Sequence, residues 1–213
     1  SLSNMADSVA QCLEKMGIAR TRVWGHSMGG GVALHLAARH PALVERLVLE
    51  DPLGLRMAMP VLAHIGNLPV LGRYVYRYLY SKRDLSNHLH GVHNDPKVCS
   101  EEDVEVFWAS FNRPGARDAL HAQLHMICSL PEESEAPPRV QAPTLVVHGA
   151  DDKTVPVENG RRIGQGIAGA RFEIVPDCGH SPHEERPALA LALALPFLLG
   201  EAEGGQGAKR AAS

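Results

Sequence analysis

The stretch Val23-Trp24-Gly25-His26-Ser27-Met28-Gly29-Gly30-Gly31 constrains this chain more than any other. The apolar run Arg22-Val23-Trp24 reads as the end of a strand. Val32, Ala33, Leu34, Leu36 and Ala37 then follow as a helical pattern that stops near His40-Pro41. Gly-x-Ser-x-Gly thus falls at a strand-to-helix turn. Glycine at 25 and 29 lets the backbone fold back on itself, so Ser27 is expected in a strained conformation with its hydroxyl outward. The helix aims its free N–H groups and dipole at Ser27, which favours negative charge there. An oxyanion formed by attack of Ser27 would sit beside the N–H of Met28. The plainer alternative is a glycine-rich turn carrying an incidental serine.

A serine hydroxyl is a poor nucleophile unless a base takes its proton, and the base needs a carboxylate behind it. The candidate base is His180, in Asp177-Cys178-Gly179-His180-Ser181-Pro182, a glycine-containing loop just after an expected strand. Its alternative role is a loop histidine at the start of the next helix. The candidate acid is Asp152, in Gly149-Ala150-Asp151-Asp152, just past the carboxyl end of a buried strand, where parallel sheets place their ligands. Asp151 and Asp51 stand as rivals, Asp51 because it too ends a buried strand.

The rest of the chain reads as elements around that rim. Residues 3–16 form an amphipathic helix capped by Ser3 or Asn4, with Met5, Val9, Leu13 and Met16 as the buried stripe and Gly17 as the stop. Arg46 to Asp51 is a second buried strand, which makes a right-handed parallel unit with the first. Between Pro52 and about Pro138 no strand is expected. Helix candidates are Leu55–Ile65, Pro69–Lys82, Ser100–Phe111 with a capping box from Ser100 and Asp103, and Gly115–Leu130. An insertion of that length is a subdomain rather than a loop. Thr144–Gly149 and Arg171–Val175 are strands, Val157 to about Ile167 is a weak helix, and Pro182–Leu199 is the last helix. The chain divides into a core of 1–52 and 139–200, a helical lid of 53–138, and a disordered tail of 201–213.

The order Ser27, Asp152, His180 resembles the triad of the α/β-hydrolase superfamily, specifically its capped serine hydrolases. Gly25-His26-Ser27-Met28-Gly29-Gly30 is similar to the nucleophile elbow, Gly149-x-x-Asp152-x-x-Val155-Pro156 to the acid turn, and Gly179-His180-Ser181-Pro182-His183-Glu184-Glu185-Arg186-Pro187 to the histidine loop. The resemblance implies a mostly parallel α/β sheet with an all-helical lid between strands. It also implies a cofactor-free serine hydrolase acting on a small or medium apolar ester-like substrate. Ser27 would attack, His180 shuttle the proton, Asp152 orient His180, and Met28 N–H hold the oxyanion. The same triad serves carbon–carbon bond hydrolases of ring-cleavage dienones, whereas dehalogenase and epoxide-hydrolase relatives use an aspartate nucleophile. Members of the superfamily begin with further strands, and those carry a second oxyanion donor. By that resemblance this chain is expected to be truncated at its N-terminus, at a cost on the order of 3 kcal/mol in the transition state. It would also be left with an apolar sheet edge through which copies could pair as a homo-oligomer. A truncated, non-catalytic binding protein is the reading of another class.

His26, Phe107 and Trp108 are candidate substrate contacts, and Met57, Met59, Leu62, Val70, Leu71 and Phe111 could line an acyl pocket or simply fill the lid core. His121 and His125 have a zinc-compatible spacing but no third ligand, so no metal site is expected. His88, His90 and His93 read as loop residues, with a place at a lid hinge as the alternative. Tyr74, Tyr76, Tyr78 and Tyr80 alternate too quickly to share one helix face. The four cysteines are scattered, which favours free thiols over a disulfide framework. A net charge of -3 without a basic run gives no footing for nucleic acid, and no apolar run is long enough for a transmembrane helix.

Overall fold

The computed structural model describes residues 1–201. Helix α1 (Leu2–Lys15) leads into strand β1 (Thr21–His26), helix α2 (Ser27–Arg39) and strand β2 (Val44–Glu50). After a helical insertion the chain returns through β3 (Thr144–Gly149), α8 (Val157–Gly166), β4 (Arg171–Val175), α9 (Pro182–Glu185) and α10 (Pro187–Leu199). The four strands lie in sequence order, all parallel. β2 and β3 are buried on both faces, which is why Leu47-Val48-Leu49 and Leu145-Val146-Val147 are continuous apolar runs rather than alternating ones. Leu47, Leu49 and Val146 pack with Leu34, Leu36 and Ile163 on the face covered by α1, α2 and α8. Val48, Leu145 and Val147 turn to the opposite face, against Ala194 and Phe197 of α10.

Two details of α1 differ from expectation. Ser1, not Ser3 or Asn4, is the cap, its hydroxyl accepting from Asn4 N–H at 3.2 Å. The buried residues are Leu2, Ala6 and Ala10, while Met5, Val9 and Met16 are exposed. Ala6 and Ala10 let the helix lie close against α2, and Leu13 of the expected stripe packs against the core, so only Met5, Val9 and Met16 are left at the outer margin. The last helix is also in two pieces. Pro187 lacks an N–H and disfavours helical backbone at Arg186, which breaks α9 from α10.

The insertion between β2 and β3 comprises α3 (Val61–Gly66), α4 (Leu71–Tyr74) running into a π-turn at Val75–Leu79, α5 (Lys82–Val92), α6 (Glu101–Phe111) and α7 (Ala116–Cys128). The expected helix from Leu55 begins only at Val61. The segment Pro69–Lys82 is a short helix and a π-turn instead of one helix. That irregular turn sorts the tyrosines. Tyr76 stacks on Tyr80 and Tyr80 on Phe111, while Tyr74 and Tyr78 pair with each other on the exposed side. α5 is a correction to the reading of His88 and His90 as loop residues. Ser81 and Asp84 form a reciprocal capping box at its start, the same device that opens α6 at Ser100 and Asp103. All four cysteines are free. Among the described residues no helix is long and apolar enough to cross a membrane. The expected disordered tail, apart from Glu201, lies outside the described residues.

Candidate active site

Three strand ends converge on one rim of the sheet. β1 ends at His26 and α2 starts at Ser27, whose φ of 52° is the strained corner expected there. Gly25 makes this corner possible, because a Cβ there would lie 2.5 Å from the Gly29 carbonyl oxygen and 2.9 Å from Ala33 Cβ. Gly29 plays no matching steric part, since nothing lies within 4 Å of where its Cβ would be. The N–H of Met28 belongs to the first turn of α2 and has no partner within the helix. β3 ends at Gly149, which lies so close to the Gly179 carbonyl that no side chain fits between them. This contact sets the acid turn beside the histidine loop.

Ser27, Asp152 and His180 come together. His180 Nε2 is 2.8 Å from Ser27 Oγ, and His180 Nδ1 is 2.7 Å from Asp152 Oδ2. Burial disfavours charge on Asp152. The nearby His148 and His180 ring nitrogens and the Val155 N–H nonetheless hold its carboxyl well below the usual carboxylate range. An ionised carboxylate only accepts, so Nδ1–H donates to Asp152 and Nε2 accepts from the Ser27 hydroxyl. His180 itself is nearly sealed from solvent, and its N–H donates to Val92 O at the end of α5. Of the rival acids, Asp151 is exposed and accepts from the Asn94 side-chain amide at 3.4 Å, and Asp51 is buried behind Asp152.

The remaining candidates are distributed more widely. His26 donates from Nε2 to the His180 carbonyl at 2.6 Å, and its ring packs against those of His180 and His183. Burial pulls its pKa down, so it supports the histidine loop as a neutral ring. Trp108 lies in a stack with Phe111 beneath the Arg117 guanidinium, and Phe107 is exposed. No ring contact or hydrogen bond joins either to Ser27, Asp152 or His180 among the described residues. His125 binds Asn67 Oδ1 at 2.9 Å, and His121 faces Tyr76. Two sets of metal-capable groups do lie close together, His26, Asp51 and His180, and Asp51, His148 and Asp152. Most of their atoms are already committed to hydrogen bonds within the rim.

Two carboxylates that sequence reasoning passed over hold this rim in place. Glu50, the buried last residue of β2, accepts from Trp24 Nε1 at 2.7 Å, from His183 N–H at 2.7 Å and from His183 Nδ1 at 3.0 Å. The hydrogen bond to Glu50 raises the His183 pKa. Glu185 accepts from the N–H groups of Gly179, Asn94 and Asp95 at 2.8, 2.8 and 3.3 Å, and His93 reaches Glu184 at 2.8 Å. Together with the His180–Val92 bond, these tie the end of α5 to the histidine loop. The signal for Glu50 was present, since a charged residue closing Leu47-Val48-Leu49 is buried only when paired. Glu185 resembled an ordinary first-turn acid, and nothing local distinguished it.

A family described as the alpha/beta hydrolase fold matches residues 1–187. The chain is similar to an uncharacterized hydrolase, YugF, of Bacillus subtilis, 27% identical over 190 residues that cover 87% of this chain and 68% of that protein. It is also similar to a 2-hydroxymuconate semialdehyde hydrolase of Pseudomonas putida, 27% identical over 173 residues, 79% of this chain and 58% of that one. The chain therefore spans only about three-fifths to two-thirds of the length of these relatives. In fold it resembles a meta-cleavage product hydrolase from Pseudomonas fluorescens, with a TM-score of 0.78 at 22% identity, covering 94% of this chain and 72% of that one.

Proposed function

The chain belongs to the alpha/beta hydrolase fold family, and on that premise we propose that it is the catalytic part of a serine hydrolase whose nucleophile is Ser27. One observation carries the reading, the 2.8 Å approach of Ser27 Oγ to His180 Nε2 with Asp152 behind the ring at 2.7 Å. Ser27 attacks the substrate carbonyl as its proton passes to Nε2. The imidazolium is stabilised by Asp152, and the oxyanion faces the N–H of Met28. The proton then returns from His180 to the leaving group, and water hydrolyses the acyl-enzyme by the same route. The substrate class is a small or medium apolar ester, with the helical insertion over residues 53–138 acting as a lid.

Carbon–carbon bond hydrolysis by the same residues is the second reading, favoured by the name of the Pseudomonas putida relative. Pairing of two copies through the outer edge of β1 belongs to the proposal as well, and sedimentation velocity over a concentration series tests it. The chemistry is tested with a fluorophosphonate probe. Stoichiometric labelling at Ser27, lost in Ser27→Ala and at least about a hundredfold slower in His180→Ala, is expected. A folded chain that refuses the probe overturns the enzyme in favour of a binding protein. Turnover of p-nitrophenyl esters against a 2-hydroxymuconate semialdehyde then separates the two hydrolase readings.

A further inference from the structure

A second carboxyl stands behind His180, unused by the relay above. Asp51 follows β2 at a left-handed corner, φ 44°, and is fully buried. Its N–H donates to Val147 O at 3.0 Å and its Oδ1 accepts from Gly149 N–H at 2.8 Å, so β3 holds it in place. Its Oδ2 has no hydrogen-bond partner among the described residues. A carboxylate oxygen of Asp51 lies within 4.8 Å of ring nitrogens of both His26 and His180. His148 Nε2, which donates to Val155 O at 3.0 Å, stands 3.3 Å from Asp152 Oδ2 and 3.5 Å from Asp51 Oδ1.

Two acids this close and this dry do not both ionise. Asp152 has His180 and the N–H groups of Thr154 and Val155 to stabilise its charge. Asp51 accepts one N–H only. The proton therefore rests on Asp51, whose carboxyl is pushed up to about 10 by burial first and then by the Asp152 charge, with Glu50 and Glu185 adding to it.

We propose that Asp51 is a reserve positioning residue, a protonated acid in the wild type that takes over the support of His180 when the carboxylate at 152 is removed. The proposal rests on the Ser27–His180 reading. In Asp152→Asn the nearest negative charge is gone, so Asp51 releases its proton at lower pH. Its anion then faces the imidazolium formed when the Ser27 proton passes to Nε2. The other titratable groups facing Asp51 are Glu50 on β2, His148 on β3, His26 and His180 at the rim, Cys178 in the histidine loop, and Glu185 on α9, all of which the variant keeps.

Fluorophosphonate labelling from about pH 6 to about pH 10 tests this. Labelling forms the Ser27 Oγ–phosphorus bond, expels fluoride and sends the hydroxyl proton to His180. In Asp152→Asn the rate should climb through the alkaline range relative to the wild type, whose acid is already ionised there. Asp51→Asn should slow labelling by about tenfold or more in the Asp152→Asn background, and by a smaller factor in the wild-type background. Equal rates and parallel profiles for Asp152→Asn and the double variant overturn the proposal. If the double variant does not fold, the profile of Asp152→Asn decides alone, a climb supporting Asp51 and a profile parallel to the wild type overturning it. A wild type that fails to label overturns the nucleophile reading itself, which is a separate result.

Discussion

At Gly25 a single added methyl would meet the Gly29 carbonyl and Ala33 Cβ, both backed by α2. Gly25→Ala is therefore expected to cost about 1–3 kcal/mol, read from urea midpoints, because neither neighbour can withdraw. Asp51 gives a pH-dependent counterpart. Unfolded, its carboxyl titrates near 3.9, and folded it is pushed up to about 10. Between those values the folded protein keeps a proton that the unfolded chain has released. The stability from this group is thus full below the ordinary carboxylate range and is lost as pH rises towards about 10. Asp51→Asn should gain on the wild type between about pH 5 and about pH 9, by at most about 1.4 kcal/mol per pH unit. Asp152 runs the other way, its contribution present at neutral pH and lost only in strong acid. The meeting of Ser27, Asp152 and His180 was readable in the sequence because each lies within three residues of a glycine and a few residues past the carboxyl end of a strand. Asp51 was readable as a strand-end acid but not as a neutral one, since that depends on how close Asp152 comes through space.

The strands were legible to within a residue or two, because β2 and β3 are buried on both faces and their sequences record it directly. The insertion was less so. Its short helices owe their ends to local hydrogen bonds, and the capping box at Ser81 and Asp84 was hidden inside a run of tyrosine and arginine. Ser81→Ala should cost about 1 kcal/mol and raise amide exchange in the first turn of α5, measured by hydrogen–deuterium exchange. The joint between α5 and the histidine loop depends on Glu185, whose carboxylate gathers backbone N–H groups from both. Glu185→Gln places an amide donor against those donors. Faster exchange at Asn94, Asp95 and Gly179 is expected, with labelling of Ser27 slowed and stability, read from the urea midpoint, lowered by about 1–3 kcal/mol. Exchange unchanged at those three amides would remove the joint from the description.

At the scale of the whole molecule, the buried core sits around the sheet, whereas the insertion turns apolar side chains outward. Val61, Leu62 and Val70 are 77%, 76% and 84% exposed, and Leu71, Tyr74 and Tyr78 are exposed as well. Such a surface binds hydrophobic dyes and favours aggregation. Val61→Gln with Val70→Gln should lower dye fluorescence and raise the temperature at which aggregation begins, while stability read from the urea midpoint changes by less than about 0.5 kcal/mol. Nothing in the amphipathic pattern announced this, because sequence periodicity separates two faces of a helix without saying which is covered. The rim has its own long-term consequence. Ser27, Asp51 and Asp177 all hold positive φ, a geometry in which glycine would be more comfortable. Of the three only Ser27 is held there by the proposed chemistry, so a descendant freed from it gains stability by exchanging Ser27 for glycine, and glycine at that corner would date the retirement of a copy before its fold had visibly decayed.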